Sequence, residues 1–238
     1  MKLCNDEASA GGEHAAEIAT TTVVKSLAAS MVAALQGQLL QVERAIRRAF
    51  LAANQNIQRE ARLHPERRDM GTTLTTALIA GYELFVASVG DSRVYLWQDG
   101  EFKRLTQDDS VIIRLVNVGR ITESQARLHP LDNQILHALG CGETLASLRI
   151  TRHRLLPGDV VAVTSDGFWK WADLDAPRLF LALDAGPGAL EDLAVSLVEE
   201  AYRAGSDDNI TVALLWHNGG NHATQERVCN QEGDDHGR

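Results

Sequence analysis

The chain has 238 residues, of which 45% are hydrophobic, and carries a formal net charge of −9. That length and apolar content support one large domain or two small ones with a substantial core, and exclude general disorder. The acidic balance argues against a nucleic-acid or anionic-membrane binder, which would show a basic stripe.

Residues 13–36 are rich in Ala, Val and Leu and lack proline. Ile18, Val23, Leu27, Met31 and Leu35 recur at a roughly helical interval, which predicts one long amphipathic helix. A second helix is predicted over 39–63, with Val42, Ile46, Phe50 and Ile57 on one face. His64-Pro65 ends it, because a residue before proline avoids the helical region. The character then turns to Thr, Val and aromatics, and strands are predicted over 72–79, 83–89 and 93–97, with turns at 80–82 and 90–92. Asp99-Gly100 marks a tight turn into a short strand over 101–105. Helices are predicted over 108–116 and, opened by Thr122 as cap, over 122–128. Strands over 148–155 and 160–164 flank Pro157-Gly158-Asp159. A helix over 189–202 follows Gly186-Pro187-Gly188 and stops at Gly205, and a last strand covers 210–216.

Residues 218–238 are rich in Gly, Asn and charge and read as a disordered tail, which leaves 1–217 as the domain. Segregated helices and antiparallel strands predict an α+β fold rather than alternating βαβ units. No segment approaches the ~20 apolar residues that span a bilayer. The first residues, Met1 to Glu7, show no signal-peptide pattern. Cys4, Cys141 and Cys229 are far apart and odd in number, so neither a disulfide framework nor a zinc site is suggested. The expected location is a reducing cytoplasm.

Three acidic turns could carry chemistry: Gly90-Asp91-Ser92 after one strand, Ser165-Asp166-Gly167 after another, and Ser206-Asp207-Asp208-Asn209 before the last. An aspartate at the mouth of a strand, beside a glycine that lets the backbone bend, can ligate a hard cation. Carboxylate oxygens suit Mg²⁺ and Mn²⁺, which pair naturally with phosphate substrates. Taken singly, such an aspartate is far more often part of an ordinary turn.

The joint pattern is more specific. Gly71-Thr72-Thr73, the run Val89 to Tyr95, the run Leu105 to Ser110, Ser165-Asp166-Gly167 and the run Gly205 to Val212 resemble, in order, the motif series of bacterial metal-dependent protein phosphatases of the 2C type. Gly119 to Thr122, His129-Pro130, Asn133 and Ala138-Leu139-Gly140 resemble the flap region of that family, and Gly11 to Ala19 resembles the segment after its N-terminal Asp-Gly motif. The likeness covers about residues 11 to 217. It implies a two-layer antiparallel β-sandwich flanked by helices (αββα), here lacking the first strand or strands. It implies hydrolysis of phosphoserine and phosphothreonine in proteins by a metal-activated water, in bacterial Ser/Thr phospho-signalling, with a binuclear Mn²⁺ or Mg²⁺ centre. The implied ligands are Asp166 and Asp208 for one metal of the pair and Asp91 for a third, weaker one. No catalytic group beyond the metal ligands is expected, and no Cys-x5-Arg cradle follows Cys141, which reads as a packing residue.

The amino end departs from the family pattern. Aligning Gly11-Gly12 with the glycine pair of the family puts Ala8-Ser9 on the position of its bridging Asp-Gly. A second register, two residues longer, puts Asp6-Glu7 there and makes Asp6 the bridging ligand. Without that carboxylate a second metal is expected to bind poorly. A truncated or altered amino terminus is the expected explanation, and a catalytically impaired, phosphatase-like binding or regulatory module is the alternative reading. Expected partners are phosphorylated protein substrates and a cognate Ser/Thr kinase system, with no nucleic acid, no membrane and a monomeric state. Arg93 is expected to pair with neighbouring carboxylates, with steering of phosphate as the alternative, Trp169 and Trp171 to pack or line a groove, and the Asp166 to Trp169 run resembles phosphatases encoded with type VI secretion systems.

Overall fold

The computed structural model describes residues 4–5, 11–28, 38–122, 134–141, 147–174, 176–219 and 225–231, together with 125, 129, 131 and 145. The chain opens with strand β1 (Cys4–Asn5), helices α1 (Gly12–Ala28) and α2 (Leu39–Leu63) and a 3-10 turn (Pro65–Arg67). Strands β2 (Leu74–Ala80), β3 (Glu83–Val89), β4 (Arg93–Gln98) and β5 (Glu101–Arg104) follow, then helix α3 (Val111–Asn117) and strands β6 (Gln134–Ile135), β7 (Arg149–Arg154) and β8 (Val160–Thr164). The last elements are the short turn of helix α4 (Asp166–Trp169), helices α5 (Ala176–Ala185) and α6 (Pro187–Arg203), and strands β9 (Ile210–Trp216) and β10 (Gln225–Gln231). They fall into two units, one built from residues 1–81, 85–91 and 108–152, the other from 82–84, 92–107 and 153–238.

In the first unit, α2 turns Val42, Ile46, Ala49, Phe50, Ala53 and Ile57 inward, the helical spacing read from the sequence. The small residues Ala15 and Ala19 of α1 face them and let the helices approach closely. Phe85, Ala87 and Val89 of β3 complete the core. Full burial of a side chain such as Phe50 contributes roughly 1.5–3 kcal/mol. The sheet order is β2-β3-β7, and Gly81 (φ +61°) makes the tight turn of the β2–β3 hairpin. Asn54, only 2% exposed, accepts a hydrogen bond from the Gly140 amide at 2.7 Å, which ties the 138–141 segment to α2. Helix α3 starts at Val111 because Ser110 caps it, its hydroxyl accepting from the Ile113 amide at 3.2 Å.

In the second unit, five strands form one sheet in the order β10-β9-β8-β4-β5, each pair antiparallel. Strand β8 is central and buried almost throughout, which explains its unbroken Val-Val-Ala-Val run. Helices α5 and α6 cover a core that joins Leu190, Leu193, Leu197 and Ala201 of α6 to Val160, Ala162, Val212 and Leu214 of the sheet.

The α+β class is as expected: helices flank the three-stranded and the five-stranded sheet, and among the described residues the short strands β1 and β6 pair separately, antiparallel. The bounds of α2 coincide with the predicted ones. The predicted helix over 122–128 lies almost wholly outside the described residues, as does the stretch of the first helix beyond Ala28. The expectation of disorder over 218–238 is corrected at 225–231, while 220–224 and 232–238 lie outside the described residues. Gln225–Gln231 forms β10, antiparallel to β9 from Gln225↔Trp216 to Gln231↔Ile210. Edge pairing needs main-chain donors and acceptors rather than apolar alternation, so the polar composition of this segment hid the strand. Cys141 is disulfide-bonded, which the spacing of the cysteines did not suggest.

Candidate metal centre

The register of β8 against β9 builds the centre. Thr164 pairs with Val212, so the residues that follow β8 and those that precede β9 emerge side by side at one end of the sheet. Ser165 locks the two together. Its hydroxyl donates to the Asn209 carbonyl at 3.0 Å and accepts from the Thr211 amide at 2.9 Å. The chain then bends into α4, with Asp166 as its first residue and Phe168 driven into the core as its anchor. Gly167 allows the close approach: a Cβ there would sit 2.6 Å from the Asn209 carbonyl oxygen and 3.4 Å from the Asp208 Cβ. The buried Ser206 hydroxyl donates to the Gly167 carbonyl at 2.8 Å and closes the cradle from the other loop.

Two carboxylates are thereby held as neighbours. Asp208 is exposed, yet the protein atoms crowded around its carboxyl partly desolvate it and raise its pKa, and the negative charge of Asp166 raises it further. The Asn209 amide, donating to Asp208 Oδ1 at 2.7 Å, and the nearby Lys170 act in the opposite sense. The Lys170 Nζ lies 2.9 Å from Asp166 Oδ2, one helical turn on from it. Beside them the Arg93 guanidinium rests on the Trp169 ring, 3.3 Å from its centroid, and donates to the Tyr95 hydroxyl at 3.4 Å. Trp171 packs against Gly205, whose φ of +107° only glycine takes easily.

Of the residues read from the sequence, Asp166 and Asp208 are brought together. Asp91 belongs to the first unit, where it follows β3 and is only 3% exposed. Gly90, just before it, is pressed against Thr73, where a Cβ would meet Thr73 Cγ2 at 2.4 Å, and its carbonyl accepts from the Asp109 amide at 2.9 Å. Asp109 is buried there with its carboxyl pKa pushed up by burial, while Arg149 at 3.7 Å and His137 at 3.9 Å oppose the shift. Asp6 lies outside the described residues. Among the described residues no group of three or more His, Cys, Asp or Glu side chains is gathered closely enough to hold a metal ion. Asp166 and Asp208 fit a single hard divalent cation. They are paired oxygen donors that repel each other, Asp208 exposed and the Asp166 side chain 18% exposed. The sequence reading missed the contact of Lys170 with Asp166, although their spacing of four residues was there to be read.

The sequence profile of the family described as protein phosphatase 2C matches residues 7–139. The serine/threonine protein phosphatase PstP of Mycobacterium tuberculosis is 36% identical over 205 residues, which cover 86% of this chain and 38% of PstP. The chain therefore spans well under half the length of that relative. A crystal structure of the catalytic domain of PstP in complex with two manganese ions superposes with a TM-score of 0.64 at 32% identity, covering 91% of this chain and 84% of that one. PppA, described as a key regulatory component of the type VI secretion system in Pseudomonas aeruginosa, gives a TM-score of 0.67 at 26% identity, covering 89% of this chain and 82% of that one.

Proposed function

We propose, because this chain belongs to the protein phosphatase 2C family, that it hydrolyses phosphoserine and phosphothreonine esters in proteins with a bound Mn²⁺ or Mg²⁺. The observation that carries the reading is the pair Asp166 and Asp208, set side by side by the β8–β9 register and the close approach at Gly167. When bound, the cation would supply Lewis-acid polarisation of the phosphoryl group and acidify a water for attack. The chain itself does the rest. Asp166 and Asp208 would hold the cation, Ser165 and Ser206 fix the loops that bear them, and Phe168 anchors α4 beneath its first residue. Arg93, seated on Trp169, adds a positive charge at the same end of the sheet, where a phosphate dianion is attracted.

The substrates belong to the same proposal: proteins phosphorylated by a bacterial Ser/Thr kinase, met by a monomeric phosphatase in the cytoplasm. Among the described residues no helix is long and apolar enough to cross a membrane. In a reducing cytoplasm the disulfide at Cys141 would be held open. Asp91 and Asp6 are kept in the proposal as candidate carboxylate ligands for further metal ions.

Purified protein with Mn²⁺ and a phosphothreonine peptide tests the reading. Mn²⁺-dependent phosphate release above that of an Asp166→Asn variant is the expected result. Equal release by the two proteins would defeat it. One observation favours a second reading, a phosphatase-like binding module: the Asp166 carboxylate already has an ammonium against it. That reading expects phosphopeptide binding without turnover, unaffected by Asp208→Ala.

A further inference from the structure

We infer that Lys170 is the resident counter-ion of the Asp166–Asp208 pair, a tethered ammonium that a divalent cation must displace, so that this side chain sets the metal concentration at which the protein loads. The inference rests on the metal-centre reading above and adds a regulator to it. Lys170 Nζ sits 2.9 Å from Asp166 Oδ2, and each of the two side chains retains only 18% of its exposure. An ion pair withdrawn this far from water is weakly screened by salt. Its geometry is fixed from both ends. Asp166 opens α4 and Lys170 follows its last residue, so one helical turn sets the two side chains over each other. Trp169 lies between them in sequence, with its ring 5.6 Å from the Lys170 Nζ, and is itself held under Arg93.

The charge arithmetic points the same way. Asp166 and Asp208 repel each other, and Lys170 is the neighbouring cation that offsets this at Asp208. A hard cation binds carboxylate oxygen at about 2.0–2.6 Å. An ion on the Asp166 oxygen that Lys170 now holds would therefore crowd the ammonium, both sterically and by like charge. Even on the other oxygen of Asp166 a dication would face the ammonium across one carboxylate, so loading drives the lysine head away, which its flexible four-carbon stem permits. The metal-free protein is thus stabilised by the residue that the metal must expel.

The test titrates Mn²⁺ into the purified full chain and reads free Mn²⁺ by electron paramagnetic resonance, with no turnover involved. Lys170→Met is expected to bind Mn²⁺ about tenfold more tightly than wild type, equivalent to ~1.4 kcal/mol. Lys170→Arg is expected to stay near wild type. Arg178→Met, which removes a cation paired with Glu200 in the same unit, is expected to change nothing. The metal-free Lys170→Met protein should also melt below metal-free wild type, with the difference shrinking when Mn²⁺ is saturating. Lys170→Gln is used if the Met variant does not fold. Unchanged or weaker Mn²⁺ binding in Lys170→Met, or in Lys170→Gln where that variant replaces it, overturns the inference, as does an equal gain in Arg178→Met. If wild type binds Mn²⁺ and Asp166→Asn does not, such a result removes the role of Lys170 alone. If neither binds Mn²⁺, the metal-centre reading fails and the inference with it.

Discussion

A Cβ placed on Gly167 would lie 2.6 Å from the carbonyl oxygen of Asn209, closer than such atoms can come. The partner atom is backbone, pinned by the Ser165 hydroxyl, so it cannot swing aside as a side-chain tip would. This contact sets how near α4 comes to the loop before β9, and hence how near Asp166 comes to Asp208.

Gly167→Ala should therefore separate the two loops. Overpacking of this kind costs about 1–3 kcal/mol, and a chain of this length loses roughly 2–4 °C in Tm per kcal/mol. Thermal melts with and without Mn²⁺ would check it. The expected result is a lower Tm and a smaller stabilisation by Mn²⁺ than in wild type.

The Ser206 hydroxyl, buried and donating to the Gly167 carbonyl at 2.8 Å, gives a second handle on the same cradle. Ser206→Ala should cost about 1 kcal/mol and weaken Mn²⁺ binding while leaving every carboxylate in place. Chemical denaturation and Mn²⁺ titration of the same preparation would separate the two effects.

How much of this was legible in the sequence differs by element. The apolar spacing from Val42 to Ile57 spelled out α2, because a helix buried on one face must repeat its inward positions. Asp166 and Asp208 were legible through their flanking motifs, since the turns that carry them need Gly167 and Gly205. Helix α5 was not, because Pro177 looks like a breaker although the first turn of a helix accommodates it. The contact of Lys170 with Asp166 was hidden because Ser165-Asp166-Gly167 read as an open turn, and only a helical turn brings residues four apart together. Strand β10 carries too few apolar residues to announce itself.

Removal of 218–238 tests the corrected tail. Without β10 the β9 edge, Ile-Thr-Val-Ala-Leu-Leu-Trp, would lose the partner that pairs it along its length. An apolar edge strand left open invites intermolecular pairing. The shortened protein is expected to elute as soluble aggregate in gel filtration, well ahead of the full chain. Elution of both as monomers of equal stability would contradict the pairing.

Asp109 supplies a pH dependence with a definite sign. Burial raises its native pKa above the unfolded value of about 3.9. The native state then holds the proton more tightly than the unfolded one, so stability attributable to this group falls as pH rises from about 4 through the raised native pKa, and is level above it. Asp109→Asn cannot titrate. The stability of wild type relative to this variant should therefore decline between pH 4.5 and a neutral pH, measured by urea unfolding at each pH. A difference that grows with pH would reverse the assignment.

Calorimetric titration of Mn²⁺ into wild type, Asp166→Asn and Asp208→Asn reaches the central claim most directly, with circular dichroism to confirm that all three are folded. Two neighbouring carboxylates at the β8–β9 mouth predict a heat of binding in wild type that is lost or strongly weakened in both variants. Mn²⁺ binding of equal strength in all three folded proteins would contradict the account.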